Sequence, residues 1–514
     1  MATGDQFLAA VNSGYAFAGE TIKIGNGMLD GAVIPGATVY LPLKMLNRHG
    51  LIAGATGTGK TKTLQLLSEG LSNASVPVLV LDIKGDLSGL GAAGTANPKL
   101  EERAQKLGST YTPQAFPVEL LTLSAAPGLH LRATVSEFGP VLLSKILSLN
   151  DTQASIVSLI FKYCDDNKLP LLDLKDFIKV LQYVTAEGKA EIEKTYGKIS
   201  TTSTGTILRK VIELQQQGAD SFFGERSFEV DDLMRISDDG RGMISILRVT
   251  ELQDRPKLFS TFMLQLLAEL YATAPEEGDL DKPKLVLFID EAHLLFNEAS
   301  QVLLDQMETI IKLIRSKGIG LFFCTQNPMD VPPAILSQLG MKVQHALRAF
   351  TAADRKTIKQ AAENYPETTF YKTENLLTEL GIGEALVTVL NERGIPTPLV
   401  HTMLLPPLSR MDVLSSSEVE TLARHSKLAA KYNTVVDSQS AYEILNEKIA
   451  QAALRTQEKE APQQDQGRTK KEESWMDNPM VRSAGRTAAT MITRSLLGVL
   501  GLGGSTRRRS RSLF

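Results

Sequence analysis

The sequence predicts an α/β fold built on a mostly parallel, doubly wound sheet, and three observations predict it. Short, almost unbroken apolar runs recur at Leu51–Ala53, Val76–Ile83, Met243–Val249, Lys284–Asp290, Ile319–Thr325 and Lys342–Leu347, with helical segments such as Lys257–Tyr271 and Leu303–Arg315 between them. Strands covered by helices on both faces read this way. A glycine-rich loop follows the first run and leads into Leu64, Leu67 and Leu71 at helical spacing, the opening of a β-loop-α unit. Two runs end in acids, Asp82 and Asp86 in one and Asp290 and Glu291 in the other. The carboxyl edge of such a sheet is where open α/β folds bind their ligands.

Composition sets the outer bounds. The 514 residues, 43% hydrophobic and 22% charged, suffice for more than one packed unit. A formal charge of −3 excludes a uniformly basic surface, so any contact with nucleic acid must come from a local patch, a pore or a tail. The two cysteines, Cys164 and Cys324, lie in apolar runs without metal-ligand spacing and read as core thiols of a reducing compartment. Residues 1–11 lack a basic stretch followed by an apolar one, and no segment reaches the roughly 18 apolar residues of a membrane span. The expected location is the cytoplasm.

Residues 1–48 carry Gly, Pro and short alternating segments, such as Ala37–Leu43, and read as a short β lead-in. The core then divides into a first part, 49–139, and a second part, 218–407. Between them, 140–217 reads as a helical insertion through Val141, Ile146, Leu149 and Leu171, Phe177, Val180, Leu181. The second part ends in a hairpin, Glu384–Leu390 and Thr397–Met403 around Gly394, followed by a helical segment, 408–455. Residues 456–475 are nearly devoid of apolar side chains and read as a solvated linker. The tail, 476–514, should be flexible; from Val481 onward it has seven arginines and no acid, with an apolar patch at Leu496–Leu502. Arg507, Arg508, Arg509 and Arg511 suit phosphates or an anionic membrane, and equally a solvated terminus.

Gly54-Ala55-Thr56-Gly57-Thr58-Gly59-Lys60-Thr61 fits G-x-x-x-x-G-K-[ST] between a buried strand and an amphipathic helix, the context that gives this phosphate-binding loop its meaning. Glycines let the backbone N–H groups turn toward phosphates, and the helix N-terminus adds positive potential. Lys60 is expected to reach the β and γ phosphates of ATP, and the Thr61 hydroxyl to ligate Mg²⁺; Thr63, two residues on, is grouped with the nucleotide-binding residues. Asp290 is suited to the Mg²⁺ shell and Glu291 to polarising the attacking water, while His293 reads equally as packing or capping. The strand Gly320–Thr325 ends in Gln326, which would orient the water beside the γ-phosphate; Thr325 to Asn327 could instead only terminate the strand before Pro328. An arginine from a neighbouring subunit often neutralises the phosphoryl transition state, and Arg315 is the first candidate, ahead of Arg348 and Arg355.

These residues carry a family resemblance. The loop Gly54–Thr61, the box Asp290-Glu291-Ala292-His293, the approach Arg315-Ser316-Lys317-Gly318-Ile319-Gly320 and Thr325-Gln326-Asn327-Pro328 together resemble the HerA-like branch of the HerA/FtsK ATPases. Leu46–Ala53, Asp82-Ile83-Lys84-Gly85-Asp86-Leu87 and the arginine- and glycine-containing tail look most like its bacterial YjgR-type subgroup. The resemblance covers roughly residues 20–450 plus the tail. It implies a RecA-like core, Mg-ATP hydrolysis, a ring homo-oligomer that is usually hexameric, and movement along duplex DNA, with a nuclease or other protein as a further partner. It also implies Lys60, Glu291, Gln326 and Arg315 as the catalytic set, with Arg315 acting in trans. A full-sized amino-terminal barrel is missing and a helical insertion interrupts the core, which puts ring formation and translocation in question. Two other readings stand beside the DNA motor: an ATPase driving a peptide or protein in a secretion-type assembly, and a two-lobed helicase. The latter needs a second RecA-like lobe, and after Pro407 the sequence offers only helix, linker and tail.

Overall fold

The computed structural model describes residues 3–460, apart from 125, 251–255, 279, 297–300, 435 and 437. A single twelve-stranded sheet organises them, formed by β1 (Thr21–Leu29), β2 (Ala32–Pro42), β3 (Gly50–Ala53), β4 (Val78–Asp82), β5 (Val118–Thr122), β6 (Leu129–His130), β7 (Ile244–Arg248), β8 (Leu285–Ile289), β9 (Ile319–Thr325), β10 (Met341–Gln344), β11 (Glu384–Thr388) and β12 (Val400–Leu404). The order is β2-β1-β12-β11-β10-β3-β9-β8-β4-β7-β5-β6. From β10 to β6 every neighbouring pair is parallel, and from β2 to β10 every pair is antiparallel. The expected α/β class with a mostly parallel sheet is therefore what the chain adopts.

Alternation along each strand separates two cores. Leu79, Leu81, Leu285, Leu287 and Ile289 face one, whereas Val78, Val80, Val286 and Phe288 face the other. The first core takes in the helices Val135–Ile146, Asp151–Asn167, Leu174–Tyr183 and Thr201–Gln216, whose Leu143, Ile160, Phe177 and Val211 are buried in it. Each of these helices starts at a side-chain cap, supplied by Thr134, Asn150, Asp173 and Ser200 respectively. The second face takes the helix Lys60–Asn73 through Leu64, Leu66, Leu67 and Leu71. Cys164 and Cys324 are buried and unpaired, as core thiols should be.

Two parts differ from what the sequence predicts. Residues 4–14 form a helix, opened by a capping box between Thr3 and Gln6 and buried through Phe7 and Val11 at i and i+4 spacing. The hairpin β1–β2 that follows is no isolated unit, since β1 pairs with β12 and so extends the main sheet. On the far edge, β5 and β6 escape the sequence pattern because Glu119 interrupts the apolar run of β5 after Pro117, and β6 is only two residues long after Pro127. The last described helix, Ala441–Glu460, continues into the start of the expected linker, while the tail lies outside the described residues. Among the described residues no helix is long and apolar enough to cross a membrane.

One buried carboxylate fixes the helix Lys60–Asn73 to the chain after β12. Glu69, only 2% exposed, accepts hydrogen bonds from the Leu408 amide (2.8 Å), the Ser409 amide (3.0 Å) and the Ser409 hydroxyl (2.6 Å). Burial pushes its pKa up, and these donors only partly offset that. Glu69→Ala strands two buried N–H groups, which should cost about 3 kcal/mol. The expected result is a lower urea midpoint; an unchanged midpoint would show that other groups satisfy those amides.

Candidate nucleotide site

Four neighbouring strands of the sheet, β3, β9, β8 and β4, deliver their carboxyl ends to one edge, and each contributes to the site. After β3 the loop begins at Gly54, whose amide bonds to the Thr325 carbonyl (3.2 Å), while the Ala55 amide bonds to the Ala346 carbonyl (2.8 Å). Gly54 has φ +153°, and a Cβ there would lie 2.5 Å from the Cβ of His345. Gly59, at φ +118°, is the left-handed residue from which the helix Lys60–Asn73 starts. Lys60 folds back over the loop, with its Nζ donating to the carbonyls of Gly54 (2.7 Å) and Ala55 (3.2 Å). Burial lowers its pKa, and the nearby Glu291 and Asp290 oppose that shift.

A buried histidine supports the loop from beneath. His345 Nδ1 lies 2.9 Å from the Glu384 carbonyl and its Nε2 lies 2.8 Å from the Thr63 hydroxyl. Burial pushes its pKa down to about 4, so the ring is neutral at pH 7 and carries one proton. A carbonyl can only accept, so Nδ1 donates and Nε2 accepts from Thr63. Thr63 thus sits in the support of the loop, its hydroxyl committed to His345. On the same side, the Gly383 amide donates to the Thr58 carbonyl (3.0 Å).

β8 delivers Asp290 and Glu291, which are 5% and 4% exposed. Glu291 has φ +46°, a conformation that a non-glycine residue adopts at a cost of the order of 1–3 kcal/mol and that clusters at functional sites. Its Oε2 faces His293 Nδ1 (3.1 Å) and accepts from Gln326 Nε2 (3.5 Å), and its Oε1 pairs with Lys84. Burial pushes the Glu291 pKa up, but the Lys84 pair outweighs it and the net shift is downward. Asp290 goes the other way, raised to about 7 by burial and then by the Glu291 charge. His293 therefore meets the catalytic candidates, whereas Thr325 and Asn327 terminate the strand: Thr325 bonds to Asp330 (2.6 Å) and Asn327 caps the turn at Met329 (3.0 Å). Gln326 is left exposed between them.

β4 contributes residues that pattern reading alone does not assign to the site. Asp82 is committed to its own turn, accepting from the amides of Gly85 (2.7 Å), Asp86 (3.2 Å) and Leu87 (3.0 Å). That turn carries Lys84 to Glu291, and it carries Asp86 to Thr61, 3.4 Å between side-chain oxygens. Carboxylate oxygens of Asp82, Asp86 and Asp290 lie within 4.8 Å of one another. Asp86 Oδ1 and Asp290 Oδ2 are buried without a hydrogen-bond partner. Buried, orphaned carboxylate oxygens fit a divalent cation such as Mg²⁺, with Thr61, Asp86 and Asp290 as the residues placed to hold it. The signal was present in the sequence: Asp82-x-Lys84-x-Asp86 ends an apolar strand just as Asp290-Glu291 does.

Arg315 lies elsewhere. It stands in the turn Arg315–Lys317 before β9, at the opposite edge of the sheet. The seven residues of β9 separate it from Gln326 by about 20 Å at the usual strand rise. There it joins Arg48, Lys312 and Lys342 in lining a cleft of about 710 Å³ that has no acidic residue in its wall. Arg348 follows β10 and donates to the Thr378 carbonyl (3.3 Å), and Arg355 lies on the helix Ala352–Glu363.

The sequence profile described as Helicase HerA-like C-terminal matches residues 29–508. The chain belongs to this HerA-like family. It is 22% identical over 365 residues to the DNA double-strand break repair helicase HerA of Sulfolobus acidocaldarius, covering 70% of this chain and 66% of that one. The Saccharolobus solfataricus protein of the same description is 22% identical over 357 residues, covering 68% and 63%. The match thus spans slightly less than two thirds of these relatives' length. Among solved structures, the bacterial conjugative coupling protein TrwB superposes with a TM-score of 0.51 at 14% identity, over 80% of this chain and 95% of that one. TrwB in complex with the non-hydrolysable GTP analogue GDPNP gives 0.51 at 14% identity, over 79% and 95%. These likenesses identify the HerA-like core as a RecA-like P-loop fold.

Proposed function

We propose that this HerA-like protein is a Mg-dependent ATPase whose turnover is coupled to binding or movement on duplex DNA, working as a ring of identical subunits, six by family analogy. The observation that carries the reading is the convergence of Lys60, Asp290 and Glu291 at one sheet edge, linked by Lys84 and Asp86, around a glycine-turned loop. In the proposed reaction, Lys60 and the loop amides hold the triphosphate, and Thr61, Asp86 and Asp290 would hold a divalent cation, which would supply charge shielding for the phosphates. Glu291 takes a proton from a water whose oxygen bonds to the γ-phosphorus as the bond to the β-phosphate oxygen breaks, giving ADP and phosphate. Gln326, beside Glu291, orients that water.

The position of Arg315 supports a shared site. At about 20 Å along β9 it cannot reach its own subunit's nucleotide, but a cation-lined cleft on the amino edge suits the phosphates held by a neighbour. The names of the HerA relatives favour DNA as the substrate, and the family's fold neighbours include a conjugative coupling protein. The deciding measurement is ATP turnover and particle mass with and without duplex DNA, with Arg315→Ala alongside. We expect stimulation by DNA that fades as salt rises, because phosphate contacts release counterions. Arg315→Ala should bind nucleotide yet lose turnover in the assembled particle. Turnover indifferent to DNA would favour a peptide or protein substrate instead, and full activity in a monomer would end the shared-site reading.

A further inference from the structure

We propose that Lys84 is a second phosphate-seeking cation of the site, paired with Glu291 in the empty protein and transferred to the terminal phosphate of ATP when nucleotide enters. The inference rests on the ATPase reading above and adds a residue and a step to it.

Several observations place Lys84 in this role. Its turn is held by three amide bonds to Asp82, with Gly85 at φ +76°, and follows β4 beside the end of β8, where Lys84 meets Glu291. The Glu291 side chain is 5% exposed and that of Lys84 is 38%, so the lysine covers the carboxylate from the solvent side, where a substrate would arrive. Both oxygens of Glu291 are engaged in this arrangement. Oε1 is paired with Lys84, and Oε2 accepts from Gln326 and lies 3.1 Å from His293 Nδ1. A water about to attack needs one of those oxygens to receive its proton, and the pair with Lys84 both occupies Oε1 and offsets the charge that would draw that proton, so opening the pair frees Glu291 for hydrolysis.

What opens it is charge. The terminal phosphate of ATP brings about two negative charges to the mouth of a loop where Lys60 already faces Glu291 and Asp290. A lysine is a point charge on a flexible four-carbon stem, able to leave one carboxylate for a more highly charged neighbour without moving its backbone. The same exchange would free Glu291 Oε1 to face the attacking water only when a triphosphate is present. With ADP bound there is no terminal phosphate to draw the lysine away, and Glu291 stays paired.

The test separates this step from the ATPase reading itself. Calorimetric affinities for Mg-ATPγS and Mg-ADP, together with ATP turnover, are measured for the full chain, Lys84→Met, Lys84→Arg and Lys60→Ala. Lys84→Met should lose about tenfold in affinity for ATPγS, keep its ADP affinity within about twofold, and turn over ATP at least about tenfold more slowly. Lys84→Arg should recover the preference for the triphosphate. An unchanged ratio of ATPγS to ADP affinity, an equal loss of both, or turnover faster than the parent would overturn the proposal. If Lys60→Ala binds nucleotide as well as the parent, the loop reading fails; if it loses binding while Lys84→Met keeps the parent's ratio, only the Lys84 assignment fails.

Discussion

Glu291→Gln is expected to hold Mg-ATP about as tightly as the parent protein and to hydrolyse it roughly 10²- to 10⁴-fold more slowly, the range associated with losing a positioned general base. The amide keeps the shape of the carboxylate and can still meet Gln326 and His293. What disappears is the negative charge that receives the water's proton. Cation binding should survive, because the Glu291 charge is one of the causes that raise the Asp290 pKa to about 7, and its removal makes Asp290 easier to ionise. Single-turnover hydrolysis with equilibrium nucleotide binding measured in parallel reads both effects. Hydrolysis at the parent's rate would take Glu291 out of the base role.

Lys60→Ala is expected to lose nucleotide binding or turnover by about 100-fold or more, equivalent to about 3 kcal/mol, because the lysine is the only side-chain cation built into the loop itself. Its current bonds to the Gly54 and Ala55 carbonyls show that it is pre-placed at the loop's mouth with its charge already desolvated. The same bonds mean that alanine also frees two loop carbonyls, so a thermal midpoint must accompany the binding measurement. A folded variant with parent-like affinity would remove the loop from nucleotide binding altogether.

Much of this site could be read from the chain because its parts follow immediately after apolar strands. β9 was legible to the residue, Ile319–Thr325, since all seven positions are buried, and the polar residues after it inevitably mark the sheet edge. Lys84 and Asp86 were harder to assign. They lie roughly 200 residues from Glu291, and only the adjacency of β4 and β8 brings them to the nucleotide loop and the base. Sheet order is a long-range property that no local pattern encodes. The link between Thr63 and His345 was hidden for the same reason, since β10 lies beside β3 although nearly 300 residues separate them. The two-residue β6 was too short for its periodicity to register, and in β5 the buried Glu119 interrupts the apolar run.

The pairing of β1 with β12 gives this protein a timetable as well as a shape. The β1–β2 hairpin is synthesised before the other strands of the sheet and has its partner about 360 residues downstream, which at roughly 5–20 residues per second is a wait of roughly 20–70 s. Until then the β1 edge offers unpaired amides and carbonyls to any extended chain nearby. Vectorial synthesis therefore closes this sheet last at the side where it began, and a nascent chain that stops short of residue 400 leaves that seam open.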